Sequence, residues 1–169
     1  CRYREYKRAY LRRISRILQR FSEPIRFSQW WNGREEFHYP GTSQLLDFCP
    51  EKPDIIHCHN LHGYYFDLNY LIELSKNVPV ILNLHDAWLL TGHCSHFFDC
   101  QKWQTGCGNC PDLSIYPALR KDATAENWQK KAAIYQKSNL YVTAPSAWLL
   151  EKAKISMLQA KEYRLIPNS

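Results

Sequence analysis

No run in this 169-residue chain approaches the roughly 18–20 consecutive apolar residues that span a bilayer as a helix, so no helical membrane span is expected within it. Its basic opening is not followed by an apolar core and a small-residue cleavage site, which excludes a secretory signal in these residues. A cytoplasmic protein is the expectation. Methionine is almost missing: the chain opens on Cys1 and its one methionine is Met157, so the natural start is expected upstream or removed. Glycine is scarce as well, and the six present form no glycine-rich turn of the kind that cradles phosphates. What is plentiful is aromatic side chain, at 14% of residues within a 45% hydrophobic composition, which excludes disorder and leaves enough apolar mass for one core.

The formal charge of +6 is local. Residues 1–20 hold eight basic side chains against Glu5, and the rest of the chain is close to neutral. Tyr10, Ile14, Ile17, Leu18 and Phe21 recur there at helical spacing until Pro24, predicting a basic amphipathic helix over residues 1–21. Packing of its apolar stripe on the domain is the first reading, and attachment of residues 2–20 to an anionic membrane surface, at the inner face of the membrane, is the second. Nucleic-acid binding is not expected, because no recognised motif accompanies the patch.

Past an aromatic segment punctuated by Pro40 and Gly41, Ile55–His59 reads as a buried strand. A helix follows over 65–76, then a second strand over Val78–His85. After a long irregular stretch come a helix from Thr124, as its N-cap, to about Ser138, a strand at Leu140–Ala144, a helix capped by Ser146 running to about Ser156, and a short strand at Tyr163–Ile166. This β-α-β-loop-α-β-α-β order predicts an α/β domain, a Rossmann-like, mostly parallel sheet with helices on both faces. Ligands of such sheets bind beyond the carboxyl ends of the strands, where this sequence puts His57-Cys58-His59-Asn60, His85-Asp86, Pro145-Ser146 and Pro167-Asn168.

Three clusters there could carry chemistry. His57 and His59 share one side of the first strand, but no further ligand has a fixed place beside them, so polar recognition by His59, Asn60 and His62 is expected in preference to a metal. In Leu84-His-Asp-Ala-Trp88 an imidazole stands at the mouth of the sheet, where it can hydrogen-bond a hydroxyl or phosphate oxygen while a neighbouring carboxylate orients it; a histidine satisfied by a backbone carbonyl, with Trp88 in the core, is the alternative. In the Cys-rich loop 92–117, Cys94, Cys100, Cys107 and Cys110 suffice for one tetrahedral structural zinc, with disulfides or free thiols as alternatives. A deaminase-type zinc is excluded because no His-x-Glu is present at His93 or His96, and a thioredoxin-like role is disfavoured because Cys107-Gly-Asn-Cys110 does not join a strand to a helix.

Taken in order, Pro53-Asp-Ile-Ile-His-Cys-His-Asn-Leu-His-Gly-Tyr-Tyr65, Leu84-His-Asp-Ala-Trp88, Thr91-Gly-His-Cys94, Cys107-Gly-Asn-Cys-Pro111, Ala144-Pro-Ser146 and Ile166-Pro-Asn168 resemble the N-terminal domain of glycosyltransferase family four. Within it the likeness is to a bacterial subgroup associated with cell-wall and surface-polysaccharide assembly. The resemblance covers about residues 35–169 and implies a GT-B enzyme that transfers a sugar from a nucleotide-sugar donor with retention of configuration. The acceptor, a glycan or a lipid-linked glycan, would be received by this domain. His85 would stand near the reacting sugar, with His59, Asn60, His62, Asp86 and Trp88 lining the same cleft, and no metal would be required for transfer. The sequence departs from the family in lacking the opening strand with its glycine-rich turn and the donor-binding C-terminal domain. It is therefore expected to be a partial domain, inactive alone. A non-catalytic, zinc-stabilised binding module is the competing expectation.

Overall fold

The computed structural model describes residues 24–37, 39–63 and 65–168. The basic helix expected over 1–21, and with it the membrane contact through 2–20, lies outside the described residues. The elements are α1 (Pro24–Trp31), a 3-10 segment (Pro40–Phe48), β1 (Ile56–His59), α2 (Tyr70–Asn77), β2 (Val80–Asn83), α3 (Thr124–Gln136), β3 (Leu140–Ala144), α4 (Ala147–Lys154) and β4 (Glu162–Leu165). Two short 3-10 turns, Trp88–Leu90 and Lys102–Gln104, interrupt the long passage from β2 to α3.

The strands form one parallel sheet in the order β1-β2-β3-β4. Apolar and small side chains alternate along each strand, so one face carries Cys58, Val80, Leu82, Leu140, Val142 and Ala144 into the core. Leu71 and Leu74 of α2, Ile134 and Tyr135 of α3, and Leu149, Leu150 and Ala153 of α4 join the same core. A sheet whose strands advance in one direction through right-handed crossovers puts its connecting helices on one side. The α/β parallel sheet with its helices is as expected from the sequence. On the other face His57, His59, Glu162 and Arg164 are exposed.

Local chemistry shifts the element ends. α2 begins at Tyr70 because the Asp67 carboxylate accepts from the Asn69 amide at 2.9 Å and holds that stretch in a turn. At α3 the capping side chain is Asp122, whose Oδ1 accepts from Thr124 N at 3.0 Å and from Thr124 Oγ1 at 2.7 Å; Thr124, expected as the cap, is the helix's first residue. Ser146 does cap α4, accepting from Leu149 N at 3.3 Å.

The segment after α1 is held by side chains. Asn127 on α3 donates to Gly33 O at 2.9 Å and accepts from Glu35 N at 2.8 Å, so one buried amide serves as the partner of two backbone groups. Gly33 is required here: its φ is +72° and a Cβ would stand 2.0 Å from Lys121 O.

Candidate functional site

In-register pairing sets the first site. His59, Asn83 and Thr143 are cross-strand partners on β1, β2 and β3, at the carboxyl edge of the open sheet face. Two residues beyond Asn83, His85 returns to the same side. His59 Nδ1 and His85 Nε2 lie 2.8 Å apart, so one carries the shared proton and the other accepts it. Asn83 Nδ2 lies 3.3 Å from the first nitrogen and 3.1 Å from the second, and Thr143 Oγ1 fixes the amide by donating to Asn83 Oδ1 at 2.8 Å. His57 completes the row with its Nδ1 3.4 Å from His59 Nε2. Partial burial, then the neighbouring His57 and His85 rings, hold His59 below the ordinary histidine value. The exposed ring is able to exchange hydrogen bonds with a hydroxyl.

Asp86 turns away from this cluster. Its Oδ2 lies 2.9 Å from His62 Nε2 and its Oδ1 accepts from Trp88 N at 2.9 Å, so the carboxylate next to His85 in sequence orients His62 instead. Tyr116 packs edge-on against the His62 ring at 5.6 Å and is itself exposed. Asn60 is exposed in a left-handed backbone conformation, φ +45°, with its carbonyl accepting from Tyr65 OH at 3.0 Å. His59, Asn60, His62, His85 and Asp86 thus gather around the ends of β1 and β2.

Trp88, expected to line the cleft, is a correction: only 3% of it is exposed. Its ring meets Phe37 edge-on at 5.9 Å, and its Nε1 donates to Glu35 Oε1 at 2.9 Å. Behind it lies a network that the sequence did not announce. Lys131, fully buried, places Nζ 3.0 Å from Glu35 Oε2, donates to Trp88 O at 3.0 Å and Thr91 O at 3.1 Å, and sits 3.6 Å from the centre of a Trp88 ring. Burial pulls Lys131 below the ordinary lysine value while Glu35 pulls it back. These groups fix the Asp86–Trp88 turn from the protein side.

In the Cys-rich loop, Cys94, Cys100, Cys107 and Cys110 all line one cavity of about 20 Å³ together with His93, Phe97, Lys102 and Trp103. All four thiols are free. Among the described residues no three His, Cys, Asp or Glu side chains are already drawn together as a metal-binding group. Burial raises the Cys94 and Cys110 thiols above the ordinary value and pushes Cys107 up to about 11.

Comparison with known proteins gives one partial likeness to report. The chain is 38% identical over 77 residues to WcaC of Escherichia coli (strain K12), which carries the provisional name colanic acid biosynthesis glycosyl transferase. The match covers 41% of this chain and 19% of that protein, so this chain spans about a fifth of its relative's length. No family model matches the chain, and no solved structure does.

Proposed function

We propose that this chain is the acceptor-side part of a glycosyltransferase. In the protein to which it belongs, a sugar passes from a nucleotide-sugar donor to a glycan or lipid-linked acceptor of cell-envelope polysaccharide, with retention of configuration. The observation that carries the reading is the His59–Asn83–His85 cluster, three hydrogen-bonding side chains held in register at the open carboxyl edge of a parallel sheet. The partial likeness to a named glycosyl transferase supports the reaction class. His85 is the group assigned to the reacting sugar and the acceptor hydroxyl, its ring held in place by His59 and by the Asn83 amide. His62, oriented by Asp86, and Asn60 supply further polar contacts to acceptor hydroxyls, and exposed Tyr116 offers an apolar ring beside them. A GT-B arrangement puts the nucleotide diphosphate on a second domain, whose basic groups stabilise the leaving charge without a required metal.

The test uses the longer protein that carries this chain, incubated with a panel of nucleotide sugars and extracted envelope lipids, with product read by mass spectrometry. Transfer is expected, and His85→Ala should lower kcat/KM by roughly 10²–10⁴ with the far-ultraviolet circular dichroism spectrum unchanged. Unaltered turnover removes His85 from the site. Failure to bind or turn over any nucleotide sugar overturns the class itself. No helix among the described residues is long and apolar enough to cross a membrane.

A further inference from the structure

The loop from Thr91 to Pro117 has to hold its shape with little help from secondary structure. Two features show that it is built around its sulfurs. First, Cys94, Cys100, Cys107 and Cys110 line a cavity of about 20 Å³, room for one ion, and four of the residues that line it with them, Phe97, Trp103, His93 and Thr124, are buried. Second, the backbone closes tightly on one of the sulfurs and turns sharply between two of them. Gly92 N donates to Cys107 Sγ at 3.2 Å, and a Cβ on Gly92 would stand 2.9 Å from Cys107 Cβ and 2.3 Å from Thr124 O, so only glycine allows the approach. Between Cys107 and Cys110 the chain turns through two left-handed residues, Gly108 at φ +138° and Asn109 at φ +45°, and Lys102 closes that turn by donating to Gly108 O at 3.1 Å and to Asn109 O.

From this we infer a soft divalent metal site in the loop, a zinc ion held by the four thiolates of Cys94, Cys100, Cys107 and Cys110. Four sulfur donors about a one-ion cavity match the tetrahedral closed coordination of structural zinc, and thiolates discriminate against magnesium and calcium. Binding replaces four S–H bonds by four S–Zn bonds and releases four protons to solvent with no change of oxidation state. The resulting unit carries two negative charges, which Lys102 beside the Cys107–Cys110 turn and Lys131 behind Cys107 partly offset. His93 stands next to the cluster and outside the ligand set: with Nδ1 donating to Pro117 O at 3.2 Å, its Nε2 lies 3.4 Å from Cys110 Sγ.

The site's effect reaches the crevice through the backbone. Ala87 N donates to Ser95 O and Ser95 N to Tyr116 O, both at 2.8 Å, and Thr91 Oγ1 donates to Cys94 O at 2.7 Å. Pulling the four sulfurs onto one ion therefore sets the Asp86–Trp88 turn and Tyr116, the wall of the crevice beside His62. The assignment does not depend on the glycosyltransferase reading, and a transferase without this metal or a metal site without transfer would each be recognisable.

The experiment takes the reduced chain, adds zinc or cobalt(II), and removes excess metal by gel filtration. One zinc per chain is expected by elemental analysis. Cobalt(II) should produce sulfur-to-metal charge-transfer absorption and the intense visible bands of a tetrahedral site. Cys107→Ser and Cys110→Ser should each weaken zinc retention by roughly tenfold or more, whereas His93→Ala should keep the full stoichiometry. Because a serine variant can unfold, the unmutated chain supplies a second reading: thiol reagent should find the four loop cysteines protected with zinc and exposed after chelation. Zinc-free protein with all four thiols reactive, cobalt spectra of octahedral type, or disulfides among the four in the isolated protein would each overturn the site. Loss of metal on His93→Ala equal to that of a serine variant would overturn the four-thiolate assignment.

Discussion

The crevice and the Cys-rich loop lie side by side and are made to hold still in opposite ways. In the crevice, precision comes from the ladder: parallel pairing puts His59, Asn83 and Thr143 in one row, and a hydroxyl-to-amide-to-imidazole chain does the rest. The loop has no ladder between β2 and α3, only two three-residue 3-10 turns, and its order depends on sulfur, buried aromatic rings and a few clasps. A functional group can be placed on a regular scaffold at little local cost, whereas an irregular wall of the same site needs its own fastening.

Lys131 is where the two regions meet, since it donates to Trp88 O at the rim of the crevice and to Thr91 O at the root of the loop. Lys131→Ala leaves Glu35 a buried carboxylate without its cation and should cost about 3–5 kcal/mol, read from the denaturant midpoint. Pairing Lys131→Met with Glu35→Leu should restore much of that stability; if the double variant is no better than the single, the loss lies in packing and not in the stranded charge.

Alkaline pH should loosen the crevice side. Burial pushes the Cys58 thiol, on the core face of β1, up to about 11 from an ordinary 9.0. Between those values the folded chain holds a proton that the unfolded chain has lost, so stability is whole below pH 9 and declines as pH rises through 11, by on the order of 2–3 kcal/mol from this group. Equilibrium unfolding at stepped pH should show the decline, and Cys58→Ala should remove this group's share of it while leaving that of Cys107, which burial also pushes up to about 11. An unchanged slope in that variant would assign the alkaline loss elsewhere.

Gly92→Ala should separate the regions from the loop side. Its Cβ has no room between Thr124 O and Cys107, so a cost of about 1–3 kcal/mol is expected, with hydrogen exchange accelerating at Ala87 and Ser95 while Val142 stays protected. Uniform acceleration would mean that loop and sheet unfold as one unit. From the other side, Thr143→Val frees the Asn83 amide at a cost of about 1 kcal/mol and should alter the titration of His59, followed by NMR, without touching the loop. A titration identical to the parent's would show that Thr143 does not hold the cluster.

The strands were legible because β2 and β3 are short runs of branched and apolar residues, and their ends were legible because polar residues follow at once. The histidines at those ends could be found from topology alone. Asn83 was hidden within the apolar run of β2, where period-two alternation was the only sign that it faces the other way from Leu82 and Leu84. For Trp88 the sequence left cleft and core both open, and the 3-10 turn Trp88–Leu90 sends the ring into the core. Glu35 and Lys131 are 96 positions apart and each reads as a solvated charge; nothing in a local window tells that they are buried together. The four cysteines could be read as a group because they are neighbours in sequence as well as around the cavity.

The Glu35–Lys131 pair also sets where the domain can be trimmed. From the strands alone, a shortened chain could begin just ahead of β1, near residue 53. Such a chain would lack the carboxylate that faces Lys131, the backbone groups of Gly33 and Glu35 that Asn127 engages, and the Phe37 ring against Trp88. The smallest piece able to fold on its own therefore reaches back at least to Gly33, twenty-three residues ahead of the first strand of the sheet.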